Sequence, residues 1–299
     1  MTPAKTPMVT IGIPVYNREK LLGRTLDCLL AQTFTDFEIL ISDNASTDNT
    51  ETVCREYAAR DQRIRYVRQE KNLGILGNFT YVKDNALGKY FQWCSSDDLC
   101  EPAFLGSLVE CMEANPQLAV AMTDVKTIVP TGEIIHVDRM EAIRLPNVVK
   151  DYEANRRLFF NYGDPNHLYH CIFGLYRTDV AKQCKLPRKT WRNMIADLEV
   201  PYLAQAAIHG GIATLNAPPM KIYYSHSGST YIKEMGKRNL FDKAMRGIEI
   251  RGSLILTALI NPLDWSTKLS LLNRLVSSSL WSVSNFIKGK SVIALPSRA

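Results

Sequence analysis

Short apolar runs alternate with helical patterns along the first half of the chain. Runs rich in apolar, β-branched and aromatic residues predict five strands, at 9–13, 37–41, 64–67, 90–93 and 119–123. Between them, apolar residues recur every three or four positions and predict helices over about 19–31, 48–60 and 76–87, with another beginning at Pro102. Strands that alternate with helices in this way predict the α/β class, with a mostly parallel sheet and helices on both faces.

The pattern is less regular after Thr123. The next segment, 125–137, predicts a hairpin around Pro130-Thr131-Gly132. Helices are then expected over 151–161 and 197–207, and short strands over 171–176, 212–215 and 221–224. Beyond about residue 239 the pattern is helical, apart from a weak strand signal at 292–295.

Composition and charge narrow the functional classes. The chain has 299 residues, of which 46% are hydrophobic and 22% charged, as is usual for a globular protein. Its longest uncharged apolar stretches are about a dozen residues, whereas a membrane-spanning helix needs roughly 20, so neither a span nor a signal peptide is expected. The seven cysteines include no CxxC pair. They are expected to pack as small hydrophobes in a reducing cytoplasm, without structural zinc.

The net charge of +6 is concentrated near the C-terminus. Residues 221–299 hold twelve Lys and Arg against four Asp and Glu, while the remainder is slightly acidic. This imbalance favours an anionic surface as a partner. No nucleic-acid-binding signature accompanies it, so nucleic acid is not expected.

Polar clusters follow three of the predicted strands. They are Pro14–Arg18, Ser42–Asp48 and Cys94–Asp98. In parallel sheets ligands bind beyond the carboxyl ends of the strands, so these clusters are expected to converge on one edge. The adjacent carboxylates Asp97 and Asp98 repel each other unless a cation lies between or beside them, and Mg²⁺ or Mn²⁺ prefers such oxygens. The alternative is that both carboxylates cap the helix at Pro102.

Four segments together resemble the family 2 glycosyltransferases of the GT-A fold. They are VTIGIPVYNR from Val9, ILISDNASTD from Ile39, Asn72-Leu73-Gly74, and Ser96-Asp97-Asp98. The likeness covers residues 8–115 well and extends more loosely to about 230. The second and fourth segments are also similar to the abequosyltransferase-like enzymes of bacterial O-antigen synthesis. The resemblance implies a GT-A catalytic domain over 1–238, divided into a nucleotide-binding half (1–123) and an acceptor half (124–238), with a helical extension over 239–299.

The resemblance also implies roles for the residues that match the family pattern. The turn after the first strand would line the nucleotide, mainly through backbone groups of Pro14, Tyr16, Asn17 and Arg18. Asp43 would accept a hydrogen bond from the base or ribose. The residues expected near the ribose and phosphates are Asn72, Gly74 and Asn78. Asp97 would contact the ribose or the sugar, and Asp98 would ligate Mn²⁺ or Mg²⁺.

Two departures from the family pattern affect this assignment. Ser95 stands where the family often has Asp, so one acidic contact is missing. Leu76-Gly77-Asn78 stands where the family often has Ala-Arg-Asn, so the usual phosphate-facing Arg is also missing. We expect Arg18 or a cation from the basic C-terminal quarter to balance the phosphates instead.

Asp197 occupies the place of the family's catalytic base, with Ala196 in the position of the usual Glu. A carboxylate over the sugar can take the proton from an acceptor hydroxyl as it attacks. Two alternatives are that Asp197 only caps a helix and that Glu199 is the base. Glu199 would point about 200° away from Asp197 around such a helix.

The sequence leaves the roles of several histidines and tryptophans open. His167 and His170 are three residues apart, but no third metal ligand is near them in sequence, which favours a pocket wall or a packed ring. His226 lies in a segment similar to the family's loop over the diphosphate, and we keep both a substrate-binding and a structural role for it. Trp93 and Trp191 are expected in the core or as an acceptor platform.

A helical stripe over 266–287 carries apolar residues at three- and four-residue steps. It could pack on the catalytic domain or form a dimer interface. It could also lie in the surface of an anionic membrane, because basic residues and two tryptophans, Trp265 and Trp281, accompany it.

Together these observations predict an inverting, metal-dependent glycosyltransferase. It would move a sugar from a nucleotide-sugar donor to a hydroxyl of a saccharide or lipid-linked saccharide during bacterial surface polysaccharide synthesis. A UDP-sugar is favoured over CDP-, GDP- and dTDP-sugars. The expected location is the cytoplasm, with peripheral attachment to the inner face of the membrane.

Two other functions remain open at this point. A catalytically silent nucleotide-sugar or glycan-binding module would explain the missing acidic and basic residues. A sugar-phosphate nucleotidyltransferase would usually have a Gly-rich loop after the first strand, and Pro14–Arg18 contains no glycine.

Overall fold

A seven-stranded sheet forms the centre of the molecule in the computed structural model, which describes residues 6–160, 168–186, 199–224, 240–273 and 275. The strand order is β10-β6-β9-β4-β1-β2-β3. The strands of this sheet are β1 (Val9–Val15), β2 (Phe37–Asp43), β3 (Ile64–Arg68), β4 (Tyr90–Trp93), β6 (Leu118–Met122), β9 (Leu175–Arg177) and β10 (Gly211–Thr214). All pairs are parallel except those of β9, which runs antiparallel to both β4 and β6.

The central strands are buried on both faces, as their continuous apolar runs predict. Six of the seven residues of β1 are buried. Gly12 allows close packing beneath this strand, because a Cβ there would lie 2.9 Å from side-chain carbons of Phe91 and Val82. Trp93 is fully buried and packs edge-on against Phe91, Tyr176 and Tyr202. Trp93 is therefore a core residue rather than a platform for a ligand.

Helices pack against this mostly parallel sheet, which confirms the predicted α/β class. The helices of the first half are α1 (Leu22–Leu30), α2 (Thr50–Arg60), α3 (Gly74–Asp84) and α4 (Phe104–Ala114). Those of the second half are α5 (Asn147–Lys150), α6 (Tyr152–Phe159), α7 (Thr178–Gln183), α8 (Glu199–His209) and α9 (Leu240–Ile260), with 3₁₀ turns at Glu141–Ile143 and Leu168–Phe173. A further helical stretch covers 265–273.

A second sheet of four strands lies beyond the carboxyl end of β4. Its order is β5-β11-β7-β8, with β5 (Leu99–Cys100), β7 (Val125–Ile128), β8 (Ile134–Asp138) and β11 (Lys221–Tyr224). The predicted hairpin over 125–137 is β7 paired antiparallel with β8. The pairing of β5 with β11 places Cys100 opposite Lys221, and so joins the end of the first half to a strand from late in the chain.

The structure corrects one predicted strand. Residues 171–176 were expected to be a strand, but Leu168–Phe173 is a 3₁₀ turn and the strand begins at Leu175. Tyr176 donates its hydroxyl proton to the Cys171 carbonyl, 2.9 Å away, which closes this turn against the strand that follows. The apolar run therefore belongs to two different elements of the core.

The C-terminal extension is helical where the structure describes it. Ile250, Leu254 and Ala258 of α9 are buried, and this helix packs against α8. Among the described helices, none is long and apolar enough to cross a bilayer. The division into a catalytic domain over 1–238 and an extension over 239–299 stays a prediction.

Candidate functional site

The loops after β1 and β2 hold each other at the carboxyl end of the sheet. Asn17 adopts a positive φ of 53°, and its side-chain oxygen accepts a hydrogen bond from the Thr47 backbone nitrogen at 2.8 Å. The Asn17 backbone nitrogen donates in turn to the Ser46 hydroxyl at 3.0 Å. Asn tolerates the left-handed conformation better than most residues, which explains its place in this turn.

A second set of contacts joins the same two loops nearer the helices. The Arg18 backbone nitrogen donates to the Thr50 hydroxyl at 2.8 Å, and the Glu19 nitrogen donates to Asp48 at 3.3 Å. Asp48 also accepts from the Thr50 nitrogen, so it braces the start of α2. Asp48 is thus a loop brace, one of the two roles that its position at a helix start allows.

Asp43 is completely buried at the end of β2. One carboxylate oxygen accepts from the Ser46 nitrogen at 2.9 Å, and the other accepts from the Tyr66 hydroxyl at 3.0 Å. These contacts shape the turn that carries Ser46 and anchor it to β3. The predicted contact between Asp43 and the nucleotide stays a prediction, and the burial of the carboxylate counts against it.

Asn44 fastens the loop before α3 to the end of β2. Its oxygen accepts from the Leu73 nitrogen at 2.7 Å, and its nitrogen donates to the Asn72 side-chain oxygen at 3.0 Å. Asn72 in turn accepts from the Gly74 nitrogen at 2.8 Å. Gly74 has a φ of 73°, which glycine adopts without strain. Asn72 and Gly74 are exposed, so this loop offers backbone and amide groups to a ligand.

Asn78, by contrast, is buried inside α3. Its oxygen accepts from the Ser42 hydroxyl at 2.5 Å and its nitrogen donates to the Ser42 carbonyl at 2.9 Å. These bonds join the first turns of α3 to β2. Asn78 therefore positions the loop that precedes it, and its side chain is engaged by the protein.

Three large apolar side chains are exposed within these loops. Tyr16 follows β1, and Leu73 and Ile75 flank Gly74 at the start of α3. A planar aromatic or heterocyclic ring could cover such side chains, as apolar residues often line small-molecule sites. Arg18 and Pro14 are partly buried beside Tyr16 in the same turn.

The acidic pair after β4 divides between two environments. From Cys94 to Cys100 the residues alternate between buried and partly exposed, and Ser96 and Asp97 lie in the turn between β4 and β5. Asp97 is partly exposed, and it accepts a hydrogen bond from the Ser95 hydroxyl. Asp98 is buried.

Asp98 faces Lys221, which comes from β11 of the second sheet. The Lys221 nitrogen lies 3.3 Å from an Asp98 oxygen, and the two side chains are 5% and 1% exposed. Burial works to lower the pKa of Lys221, but the facing Asp98 carboxylate raises it on balance, so the ammonium stays charged. Within the described residues, neither Asp98 oxygen receives a well-aligned hydrogen bond, and Lys221 is its charge partner.

The geometry distinguishes the two acids as metal ligands. A divalent ion that shares its shell with phosphates needs one or two carboxylates that reach the ligand cleft. Asp98 is enclosed and already faces a cation, so it fits this role poorly, whereas the more exposed Asp97 fits it. Among the described residues, no group of three or more His, Cys, Asp and Glu side chains could hold a metal ion. A metal at this edge would therefore also need ligands from the donor phosphates.

The second half contributes two buried charged clusters. Asp124 follows β6 and forms a two-pronged ion pair with Arg144, at 2.7 and 2.9 Å. Asp138 ends β8 and contacts His136 and His170, each at 3.0 Å. The Tyr169 ring contacts His170 at a tilt of 42°, with the ring centroids 4.3 Å apart. His170 is thus a packed ring with a carboxylate partner. A packed ring was one of the two environments predicted for it, the other being a pocket wall.

Several predicted residues lie outside the described part of the chain. They are the proposed base Asp197, and also His167, Trp191 and His226. Glu199, the alternative base, is the first residue of α8 and is partly buried.

Two residues that organise this region, Lys221 and Asn44, are not among the candidates that the sequence pattern indicates. Lys221 was predicted only as the first residue of a short strand, and nothing in the sequence indicated its contact with Asp98. Asn44 was quoted within the segment after β2 but was not singled out. An exposed ligand loop and a buried brace have similar polar compositions, so only the three-dimensional contacts separate them.

Comparison with known proteins identifies related chains. A family model described as "Glycosyl transferase family 2" matches residues 10–184. The glycosyltransferase GlyA of Streptococcus pneumoniae is 34% identical over 100 residues, which are 33% of this chain and 14% of GlyA. Chondroitin synthase of Escherichia coli is 33% identical over 131 residues, which are 44% of this chain and 19% of that enzyme. The chain thus matches less than a fifth of the length of either relative.

Solved structures share the fold at low sequence identity. TarS residues 1–349 of S. aureus, in complex with UDP-GlcNAc, superimposes with a TM-score of 0.63 at 18% identity, covering 92% of this chain and 75% of that one. A mannosyltransferase from Pyrobaculum calidifontis, in complex with GDP-Man and Mn²⁺, superimposes with a TM-score of 0.52 at 15% identity, covering 93% and 88%. These likenesses establish the same architecture.

Proposed function

This chain belongs to glycosyltransferase family 2, and from that premise we propose that it transfers a sugar from a nucleotide-sugar donor to a saccharide hydroxyl. The observation that carries the proposal is the more exposed Asp97, which follows β4 at the edge where the ligand-binding loops of a parallel sheet are expected. The donor would lie across the loops of Asn17, Asn72 and Gly74.

The nucleotide part of the donor would be bound by loops that are already fixed in place. Tyr16, Leu73 and Ile75 would cover the base, while Asn72 and the Gly74 backbone would face the ribose and phosphates. UDP-sugars are the first donors to test, because TarS was solved in complex with UDP-GlcNAc. The mannosyltransferase complex with GDP-Man makes a GDP-sugar the second.

Asp97 would hold a divalent ion together with the donor diphosphate, and Ser95 would orient its carboxylate. When bound, Mn²⁺ or Mg²⁺ would neutralise the charge that develops on the leaving diphosphate. Asp98 and Lys221 would form the rigid wall behind Asp97. This assignment differs from the sequence-based expectation, in which Asp98 is the ligand.

Asp197 remains the proposed base, from its place in the sequence pattern. It would take the proton from the acceptor hydroxyl while that oxygen attacks the anomeric carbon from the side opposite the diphosphate. Direct displacement of this kind inverts the anomeric centre. Glu199 is the alternative base, because it begins α8 immediately after that segment.

The acceptor would be a saccharide or a lipid-linked saccharide of a bacterial surface polysaccharide. Chondroitin synthase and TarS are similar to this chain over their matched regions only, so they do not select one acceptor. The basic C-terminal quarter is consistent with work at the inner face of an anionic membrane, where lipid-linked acceptors would be met.

The test is donor turnover by the purified full chain. With Mn²⁺ present, we expect at least one of the UDP-, GDP-, CDP- and dTDP-sugars to bind and release nucleoside diphosphate. Asp97→Asn should lose metal-dependent donor binding, measured by calorimetry, while the exposed control Glu56→Gln should keep it. Donor binding without turnover would favour a silent binding module, and no binding of any donor would contradict the proposal.

A further inference from the structure

Two cysteine sulphurs meet between α1 and β5. The Sγ atoms of Cys28 and Cys100 lie 3.2 Å apart, although the residues are 72 positions apart in sequence. The Cys100 backbone nitrogen donates to the Cys28 sulphur at 2.9 Å, and the Cys28 thiol lies 3.0 Å from the Cys100 carbonyl. Gln32 donates to the Cys100 sulphur at 3.3 Å. Contacts from both α1 and β5 therefore hold the two sulphurs close together.

We propose that Cys28 and Cys100 form a reversible disulfide site. A disulfide bond is about 2.05 Å long, so the sulphurs need to approach by only about 1.2 Å. Cys28 is partly exposed and Cys100 is buried, which makes Cys28 the sulphur that an oxidant reaches first. Cys100 is then the resolving thiol, because it already contacts the Cys28 sulphur.

The environment of Cys28 differs from that of the other cysteines. Hydrogen bonding from the Cys100 thiol lowers the pKa of Cys28 to about 7, against the opposing effect of burial. Burial raises the pKa of each of the other five thiols: Cys54, Cys94, Cys111, Cys171 and Cys184. Thiolates react with oxidants far faster than thiols, so this pair should be oxidised selectively.

The chemistry balances with hydrogen peroxide as the oxidant. The Cys28 thiolate attacks one peroxide oxygen, the O–O bond breaks, and hydroxide leaves to become water. The Cys100 sulphur then attacks the resulting sulfenic sulphur, its proton is lost, and the S–O bond breaks to release a second water. Two thiols and one peroxide thus give one disulfide and two waters, and an added dithiol reverses the change.

The bond would form beside the acidic pair of the candidate site. Cys100 lies opposite Lys221 in the pairing of β5 with β11, and Thr25 of α1 donates to the Asp98 carbonyl at 3.0 Å. A covalent link would therefore fix α1 to the strand that continues from Asp97 and Asp98. This site does not depend on the proposed transfer activity.

The experiment treats the reduced full chain with hydrogen peroxide and maps the products by mass spectrometry. We expect a loss of about 2 Da from the two hydrogens removed, a cross-linked peptide pair containing Cys28 and Cys100, and full recovery with dithiothreitol. Before oxidation, iodoacetamide should label Cys28 faster than the other thiols, with a rate that rises as the pH passes through about 7.

Three variants make the result specific. Cys28→Ser and Cys100→Ser should each abolish the cross-link, whereas Cys111→Ser, a matched change at a buried cysteine of α4, should leave it intact. Retention of the native circular dichroism by each variant shows that the fold is unaltered. A disulfide between other cysteines, or oxidation of Cys28 to sulfinic acid without any cross-link, would overturn the proposal.

Discussion

Adjacent residues in one loop can have unlike roles when one side chain is buried and the other is not. Asp97 and Asp98 lie in the loop after the same strand, where Asp97 is partly exposed and Asp98 is buried against Lys221. Two carboxylates in sequence predict a cation, and the structure supplies one as a lysine from β11. The pairing therefore explains how a fully buried Asp98 is tolerated, since buried charges need a partner.

Removing one member of this pair should destabilise the fold. Asp98→Asn leaves the Lys221 ammonium buried without its counter-charge, which typically costs 3–5 kcal/mol. We expect a loss of about 3 kcal/mol in the free energy of unfolding, measured by urea denaturation. Asp97→Asn, at the more exposed neighbour, should cost less than about 1 kcal/mol.

A double variant separates the ion pair from simple packing. Asp98→Asn combined with Lys221→Met removes both charges, so its loss of stability should be smaller than the sum of the two single losses. Additive losses would show that the two residues act independently. In that case the pairing would not be what stabilises Asp98 in the interior.

The proposed base yields a separate prediction at the residue scale. Asp197→Asn should bind the donor with near-normal affinity and transfer the sugar about 10²–10⁴ times more slowly, because a general base acts only as the proton is transferred. Glu199→Gln is the matched comparison two positions later. If Glu199→Gln shows the large loss and Asp197→Asn does not, Glu199 is the base.

Sequence could predict which residues form the acidic cluster, but not which of them faces the ligand. Both residues lie in a polar loop, and nothing in the local sequence says which of the two carboxylates is buried. That choice depends on β11, which is far along the chain and was recognised only as a short strand. The predicted ligand contacts of Asp43 and Asn78 stay predictions, since a buried brace and a ligand contact have the same residue types.

At the scale of elements, the prediction was most accurate for five strands of the first half. The five strands predicted there correspond to β1, β2, β3, β4 and β6, which are four to seven residues long and bounded by turn residues. β5 has two residues and no pattern of its own, so it forms only because β11 pairs with it. The strand predicted at 171–176 is wrong because a short apolar run is compatible with a buried turn as well as with a strand.

The loops of the candidate site are held by side chains from neighbouring elements, and Asn44 is the clearest case. Asn44→Ala removes the bonds to Leu73 and Asn72, so the loop before α3 should lose its fixed conformation. We expect a stability loss of about 1–3 kcal/mol. Ordering the loop on binding should then weaken donor affinity about tenfold, equivalent to 1.4 kcal/mol.

The same substitution at the other end of α3 is the control. Asn85 is exposed and caps that helix through a bond to the Tyr81 carbonyl. Asn85→Ala should leave donor affinity unchanged when measured by calorimetry. Equal donor affinity for both variants would mean that the Asn44 contacts do not organise the binding loop.

At the scale of the whole molecule, the C-terminal extension presents two different faces. Ile250, Leu254 and Ala258 are buried where α9 packs on the domain, and Leu271 and Leu275 are buried further on. The part of the extension that the structure describes therefore packs on the rest of the chain. Of the predicted stripe over 266–287 it includes 266–273 and 275, and the remainder lies outside the described residues. Removing residues 240–299 would uncover α8 and is expected to cause unfolding or aggregation, so truncation is a poor test of membrane binding.

The exposed face of the extension, drawn from α9 and the helical stretch after it, carries large apolar side chains. They are Ile255, Leu256, Leu259, Ile260, Trp265 and Leu269. Lys268 lies 5.2 Å from the centre of the Trp265 ring, so a cation and an amphipathic ring are adjacent there. This combination is typical of segments that lie in the surface of an anionic membrane.

We therefore predict that the intact protein sediments with phosphatidylglycerol vesicles at low salt and dissociates at high salt, because each Lys or Arg near such a surface adds about 1 kcal/mol. Binding to neutral phosphatidylcholine vesicles should be much weaker. The double variant Trp265→Ser and Leu269→Ser should lose most of the binding while remaining folded, since both side chains are more than half exposed. Leu87→Ser, at an exposed leucine after α3, is the matched control and should bind as before. If the intact protein stays in the supernatant with anionic vesicles at low salt, this face does not bind membranes.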